Sequence, residues 1–235
     1  MESLLTVEGV KIVYNRKITA VHDLDLTVEK GKSVAILGAN GAGKSSIMRA
    51  LAGWHPPAEG RVRFDGVDIT RLVIEKRARM GLMYVPESGH IFQRLSVREN
   101  MLMGGYLLDH PEAQIEKACR PFPVLLERMG QLAGTLSGGE RQMLAIARAG
   151  MSSPKLLLVD EVSLGLMPQA IEVVFQALRD LMSEGVSVVL AEQNARKAME
   201  VVDHVYLLEN GCIALSGPPQ EIVKDSRVIA AYLGG

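Results

Sequence analysis

The stretch that decides the fold is Gly38-Ala39-Asn40-Gly41-Ala42-Gly43-Lys44-Ser45. It fits the pattern GxxxxGK[ST], with an apolar run over residues 33–37 before it and a helical run that starts at Ser46 after it. In such a strand–loop–helix unit, glycines let backbone N–H groups crowd around phosphate oxygens, where a Cβ would obstruct them. Lys44 can then reach the β- and γ-phosphates of ATP, and the Ser45 hydroxyl can ligate Mg²⁺. The stretch therefore predicts a phosphate-binding loop that takes ATP and Mg²⁺.

Two further apolar runs also end in polar residues. Leu156-Leu157-Leu158-Val159 leads into Asp160-Glu161, and Val186-Ser187-Val188-Val189-Leu190-Ala191 leads into Glu192-Gln193. Runs of this length without polar alternation are typical of strands that are buried on both faces of a parallel sheet. A helical pattern over residues 170–178 lies between them. The alternation predicts an α/β domain whose ligands bind at the carboxyl ends of the strands.

The rest of the chain suggests two additions to this core. Residues 4–30 and 60–66 resemble short strands with turns, which predicts an antiparallel flank. Residues from about 91 to 150 carry helical patterns broken by prolines, which predicts an inserted helical lobe. We therefore expect a single domain over 1–235, with its core at about 1–90 and 151–235. A solvated face is expected to hold four arginines: Arg77, Arg79, Arg94 and Arg98.

Asp160 and Glu161 are the candidate metal ligand and catalytic base. A carboxylate at the end of a buried strand can hold Mg²⁺ directly or through water, which is the role predicted for Asp160. Glu161 can orient or deprotonate the attacking water. The alternative is an ordinary acidic pair where a strand meets a loop. The phosphate-binding loop in the same chain favours the catalytic interpretation.

The stretch Leu136-Ser137-Gly138-Gly139-Glu140 precedes a helical run. Ser-x-x-Glu before such a run is a capping box, which accounts for Ser137 and Glu140. It does not account for the two glycines, because glycine weakens the first turn of a helix unless a ligand or another backbone must come close. A phosphate at this helix N-terminus would account for all four residues.

Taken in order, the phosphate-binding loop, the LSGGE stretch and the run ending in Asp-Glu resemble the ATP-binding subunit of ABC transporters. The resemblance implies a P-loop NTPase core with a mostly parallel sheet, an antiparallel β flank and an inserted helical subdomain. It implies that Ser137, Gly138 and Gly139 contact the γ-phosphate held by a second subunit, so that a dimer encloses two ATP molecules. It also implies that Tyr14 stacks on adenine, with a plain strand tyrosine as the alternative.

At two site positions this sequence departs from the general family. The glutamine that joins core and helical lobe is Glu87 here, which we expect to be a ligand of Mg²⁺. The histidine after the last core strand is Gln193, whose amide can donate a hydrogen bond to phosphate but cannot carry a proton. Glu161 is therefore the remaining candidate for the base. Val162 also replaces a proline that commonly follows that glutamate.

Several segments resemble the ATP-binding subunits of branched-chain amino-acid importers, most closely the smaller of the two. They include Val85-Pro86-Glu87, Glu192-Gln193-Asn194 and the ending Ala231-Tyr232-Leu233-Gly234-Gly235, whereas Ser88, Val162 and Met167 differ from that pattern. The resemblance implies integral membrane permease subunits, a second ATP-binding subunit, identical or not, and indirectly a solute-binding protein as partners. It places the chain on the cytoplasmic face of the cell membrane. The alternatives are a urea or amide importer, a non-transport ABC ATPase and an ATP-binding regulator without turnover.

Composition agrees with a chain that crosses no membrane. The 235 residues are 48% hydrophobic, and 26 Lys and Arg balance 27 Asp and Glu, so no basic excess points to nucleic acid. No apolar run approaches the roughly 18 residues of a membrane span. The N-terminus lacks the pattern of a signal peptide. Cys119 and Cys212 match no metal-ligand spacing, which favours a reducing, cytoplasmic setting.

Overall fold

The computed structural model describes residues 2–87 and 89–230. The first half of the chain contains β1 (Ser3–Tyr14), β2 (Ile18–Glu29), β3 (Ser33–Leu37), α1 (Lys44–Ala52), β4 (Glu59–Phe64), β5 (Val67–Asp68), α2 (Ile74–Arg79), β6 (Leu82–Val85), α3 (Val97–Gly104) and α4 (Glu112–Cys119). The second half contains α5 (Pro123–Glu127), a 3-10 helix (Ala133–Thr135), α6 (Gly138–Gly150), β7 (Leu156–Asp160), α7 (Pro168–Ser183), β8 (Ser187–Glu192), α8 (Ala195–Met199), β9 (His204–Glu209), β10 (Cys212–Gly217), α9 (Pro219–Ile222) and α10 (Ser226–Val228).

A six-stranded sheet carries the phosphate-binding loop. Its order is β10-β9-β3-β8-β7-β6, in which all strands are parallel except β10. In β3, Ala35 and Leu37 belong to one hydrophobic core and Val34 and Ile36 to the other. Alternate residues therefore enter opposite cores, which confirms the prediction that these strands are buried on both faces. The carboxyl ends of β3, β8 and β7, which precede the candidate site residues, lie side by side because these three strands are consecutive in the sheet.

A second sheet, of order β2-β1-β4-β5, is antiparallel and covers α1 on the far side of the parallel sheet. The predicted antiparallel flank is confirmed, but β1 and β2 are 12 residues each rather than short. Their pairing shifts register at several bulges, one of them between Val7 and Val10. A bulge breaks the alternation of apolar and polar residues while pairing continues, so one long strand resembles several short ones.

Helices α3 to α6 fill the region from 91 to 150. Pro123 begins α5 and Pro111 precedes α4, so these prolines mark helix starts. One hydrophobic core runs from Met101 and Phe122 in this region to Val159 and Phe175 next to it. The helices thus pack on the same face of the parallel sheet as α7. The boundary between core and helical lobe stays a prediction.

Arg77 does not lie on a solvated face, so this prediction was wrong. Its side chain is 0% exposed, whereas Arg79, Arg94 and Arg98 are exposed as expected. The guanidinium donates to five backbone carbonyls, those of Ala50, Leu51, Ile69, Thr70 and Leu72. A buried guanidinium is tolerated only when its donors are satisfied, and here it holds the end of α1 to the chain before α2. Burial lowers the pKa of Arg77 to about 10.

Within the described residues, no helix has the length and apolar character needed to cross a membrane. The thiols of Cys119 and Cys212 are both free, the first buried and the second exposed.

Candidate active site

The phosphate-binding loop connects β3 to α1 and rests on backbone from two other strands. A Cβ on Gly38 would lie 2.6 Å from the Leu208 carbonyl oxygen, and one on Gly43 would lie 2.7 Å from that of Ala20. Gly41 and Gly43 also have φ of 82° and 113°, where side chains are disfavoured. The glycines therefore let the loop pack closely on the backbone of β9 and β2, and they also leave the space beside the loop free of side chains. A glycine-rich loop that leads into a helix N-terminus is a typical site for phosphate.

Lys44 is held at the centre of this loop with 3% of its surface exposed. Its Nζ donates to the carbonyl oxygens of Gly38 at 2.9 Å and Ala39 at 3.2 Å. The same ammonium pairs with Glu161 Oε1 at 2.9 Å. Lys44 and Glu161 come from distant parts of the chain, and the structure joins the predicted phosphate ligand to the predicted base.

Asp160 lies beside Ser45 and is 1% exposed. Ser45 Oγ donates to its Oδ1 at 3.2 Å, and the Tyr84 hydroxyl donates to its Oδ2 at 3.1 Å. Burial raises the pKa of Asp160, and the nearby carboxylates of Glu161 and Glu87 act in the same direction, whereas the two hydrogen bonds lower it. A hydroxyl beside a buried carboxylate is the kind of oxygen donor set that Mg²⁺ takes. These residues fit the metal.

Glu161 has a backbone conformation that no sequence pattern predicts. Its φ is 46°, and its N–H donates to the Ala191 carbonyl at 2.8 Å. A residue other than glycine in this region costs about 1–3 kcal/mol and is common at functional sites. The turn directs the side chain back toward Lys44, where it is 8% exposed.

An open cleft of about 340 Å³ brings together the central part of the predicted site. It is lined by Ala20, Asn40, Gly41, Gly43, Lys44, Ser45, Ser46, Glu87, Glu161 and Leu164. The structure therefore brings together the phosphate-binding loop, the candidate base and Glu87. Asp160 is not among the lining residues, but it accepts a hydrogen bond from Ser45, which is.

The LSGGE stretch does not line this cleft. Ser137 caps α6, and it forms a capping box with Glu140. A Cβ on Gly139 would lie 2.8 Å from the Cβ of Ala170 in α7, so packing between the two helices accounts for this glycine. A Cβ on Gly138 would meet nothing closer than 3.9 Å, and Gly138 is exposed. Contacts within the chain therefore explain every residue of the stretch except Gly138.

Two other predicted residues also lie outside the cleft. Tyr14 stacks on His55, with ring centroids 4.4 Å apart and an angle of 20° between planes. Its hydroxyl is buried without a hydrogen-bond partner among the described residues. Gln193 is exposed just after β8. Their roles toward adenine and phosphate stay predictions.

Two residues for which the sequence predicted no role also support the site. The Tyr84 hydroxyl donates a hydrogen bond to Asp160. Burial and the Asp160 carboxylate both raise the pKa of Tyr84. Glu192 is 1% exposed and accepts from the backbone and hydroxyl of Ser163 at 3.0 and 2.7 Å. Burial raises the pKa of Glu192. For Glu192 the available signal was its position at the end of a buried strand, where a polar group needs a partner.

A family model described as "ABC transporter" matches residues 21–164, which is more than half of the chain. The chain belongs to the ABC transporter ATP-binding family. A second model, described as "Branched-chain amino acid ATP-binding cassette transporter", matches residues 215–235. The resemblance found in the sequence motifs is thereby confirmed.

Named relatives of this ABC subunit span its length. The high-affinity branched-chain amino acid transport ATP-binding protein BraG of Pseudomonas aeruginosa is 45% identical over 94% of this chain and 96% of its own. The probable branched-chain amino acid transport ATP-binding protein LivF of Archaeoglobus fulgidus is 34% identical over 93% and 94%. The lipopolysaccharide export system ATP-binding protein LptB of Acidithiobacillus ferridurans is also 34% identical, over 100% and 98%.

Solved structures confirm the fold class. An ATP-binding cassette of an ABC transporter in its ADP conformation superposes with a TM-score of 0.89 at 24% identity, over the whole of both chains. A nucleotide-free ATP-binding cassette gives 0.88, over 99% of this chain and 100% of the other. The combination of a parallel core, antiparallel flank and helices α3 to α6 is thus that of an ABC ATPase.

Proposed function

We propose that this chain is the ATP-hydrolysing subunit that energises an importer of branched-chain amino acids. BraG, at 45% identity, is named for this solute class, and so is the model that matches the last 21 residues. The LivF and LptB relatives share the same 34% sequence identity with this chain, but their names give different transported substances. The assignment of the solute therefore rests on BraG and on the C-terminal match.

One observation carries the catalytic part: Lys44, Ser45 with Asp160, and Glu161 meet at one cleft. Phosphoryl transfer from ATP to water requires positive charge on the γ-phosphate, oxygen ligands for a metal and an oriented water. Lys44 supplies the charge, Ser45 and Asp160 the ligands, and Glu161 the base. Mg²⁺ bound by Ser45 and Asp160, with Glu87 nearby, would neutralise charge on the β- and γ-phosphate oxygens.

The Lys44–Glu161 pair links nucleotide binding to the base. Lys44 Nζ already donates to two carbonyls and to Glu161. A phosphate oxygen in the loop replaces Glu161 as an acceptor, because an ammonium has three protons to donate. The released carboxylate can then accept a proton from the attacking water. Gln193 can position that water or a phosphate oxygen by hydrogen bonding, but it cannot transfer a proton.

The site is completed by a second subunit. Ser137, Gly138 and Gly139 lie outside the cleft of their own chain, and open space around Gly138 leaves its backbone accessible. A helix N-terminus of this kind suits the γ-phosphate bound by a partner. Tyr14 would contact adenine on the opposite side. Closure and opening of this dimer then drive the permease subunits in the membrane. A solute-binding protein outside the membrane delivers the solute to these permease subunits.

The test is Glu161→Gln, which preserves the shape of the side chain and removes its basicity. The variant should bind ATP, lose steady-state hydrolysis and accumulate as an ATP-dependent dimer in size-exclusion chromatography. Glu116→Gln, at an exposed position of α4, serves as the matched control and should behave as wild type. Unchanged phosphate release by the Glu161 variant would refute the assigned role. Uptake of labelled leucine, compared with urea, in cells that carry each variant tests the solute.

A further inference from the structure

Tyr84 occupies a position that the proposed chemistry does not use. It lies in β6, whose carboxyl end is beside that of β7, and it is half-buried. Its hydroxyl donates to Asp160 Oδ2, while Ser45 donates to the other oxygen, Oδ1. The two oxygens of this carboxylate are therefore distinguished by their partners.

We propose that Tyr84 is a positioning residue that holds one oxygen of Asp160 so that the other faces the metal position beside Ser45. A free carboxylate rotates about its terminal bond, since that torsion is broad. The Tyr84 hydroxyl removes this freedom, because only one orientation keeps its hydrogen bond. Hydrogen bonds of this kind orient metal ligands in proteins and raise metal affinity. The proposal rests on the proposed function, because it concerns the metal that ATP hydrolysis requires.

Trp54 holds the tyrosine ring in place. The two rings meet edge to face, with centroids 5.3 Å apart and an angle of 84°. Trp54 follows Gly53, which ends α1 in a left-handed conformation, and its N–H donates to the Arg49 carbonyl at 2.9 Å. The backbone that carries the indole is thus fixed by the end of the helix that begins at the phosphate-binding loop. The loop, the indole and the Tyr84 hydroxyl form one support for Asp160.

The test variant is Tyr84→Phe, which keeps the ring against Trp54 and removes only the hydroxyl. Tyr206→Phe is the matched control, because the hydroxyl of this β9 residue hydrogen-bonds to the backbone of Thr27 and Tyr206 is not among the residues that line the cleft. Binding of a fluorescent ATP analogue is measured in EDTA and during titration with Mg²⁺. This readout needs no turnover.

With Tyr84→Phe, the Mg²⁺ concentration at half-saturation should rise by about 10–100-fold. Affinity for the analogue in EDTA should stay at the wild-type value, because Lys44 and the loop are untouched. Tyr206→Phe should match wild type in both measurements. An unchanged Mg²⁺ midpoint in Tyr84→Phe would overturn the proposal, and so would an equal loss of affinity in EDTA, which indicates general distortion. Failure of wild type to bind the analogue at all would instead refute the proposed function.

Discussion

The roles of the two glycines in the LSGGE stretch can be distinguished by a matched pair of substitutions. Gly138→Ala and Gly139→Ala add the same methyl group one residue apart in the first turn of α6. Neither glycine has a positive φ, so alanine suits both backbones and should by itself favour the helix by about 0.5–1 kcal/mol. Any difference between the two variants therefore comes from what the new methyl group meets.

At Gly139 the new methyl group would lie 2.8 Å from the Ala170 Cβ. Carbon atoms in contact are usually about 3.5–4.0 Å apart, so α6 and α7 must separate. Overpacking of this kind costs about 1–3 kcal/mol. At Gly138 the nearest atom is 3.9 Å away, so no such penalty arises. Gly139→Ala should thus lower the stability of the fold, whereas Gly138→Ala should preserve it and instead lose ATP hydrolysis.

The assay combines urea unfolding with steady-state phosphate release. The double variant Gly139→Ala/Ala170→Gly removes one methyl group for the one added, so it should recover most of the stability that Gly139→Ala loses. Ala170→Gly alone should cost about 1 kcal/mol, as expected for glycine inside a helix. Equal destabilisation by both single alanine variants would refute the packing argument. Full hydrolysis by Gly138→Ala would refute close approach of a partner's phosphate at that residue.

Two further predictions concern one buried and one exposed charge. Arg77→Met should lower the free energy of unfolding by at least about 3 kcal/mol, because five carbonyls lose a charged donor. The control Arg79→Met, at an exposed position, should change it by less than about 0.5 kcal/mol. Similar urea midpoints for the two variants would contradict this prediction. Burial raises the pKa of Asp203, but hydrogen bonds from Ser33 and Lys32 outweigh it and hold the pKa below 3.8. A lowered folded-state pKa means that the carboxylate stabilises the fold above pH 3.8 and loses this effect as pH falls through the folded-state value. Asp203→Asn should therefore lower Tm at neutral pH, and the gap to wild type should narrow in acid; a gap independent of pH would count against it.

Much of this fold could be predicted because its signals are local. The run before the phosphate-binding loop became β3 at the predicted residues, and the helical run after it became α1. Strands buried on both faces leave a short, unbroken apolar run in the sequence. The long β1 and β2 were misjudged since bulges interrupt their pattern.

Sequence motifs predict several members of the candidate site but not their contacts. Motif spacing identifies Lys44 and Glu161, yet nothing in the sequence indicates that they form an ion pair at 2.9 Å. Glu161 adopts φ of 46° because the turn after β7 hydrogen-bonds to β8, which is a tertiary effect. Tyr84 was missed for the same reason, since its partner Asp160 is 76 positions away.

Arg77 and Gly139 show how tertiary contacts change the interpretation of single residues. An arginine in a charged stretch is usually solvated, whereas this one is buried against the end of α1 and the chain before α2. Gly139 resembles half of a ligand-binding pair in the sequence, whereas the structure gives it a packing role against Ala170. Contacts between elements that are distant in sequence decided both outcomes.

The most direct test of the account is complementation between two inactive variants, Lys44→Ala and Ser137→Arg. If one site combines the loop of one chain with the capped helix of another, each variant alone is inactive. A mixed dimer then keeps one site in which both residues are intact. An equal mixture should recover about a quarter of wild-type hydrolysis, because half of the dimers are mixed and each has one working site. Mixed dimers that remain as inactive as either variant alone would contradict the shared site.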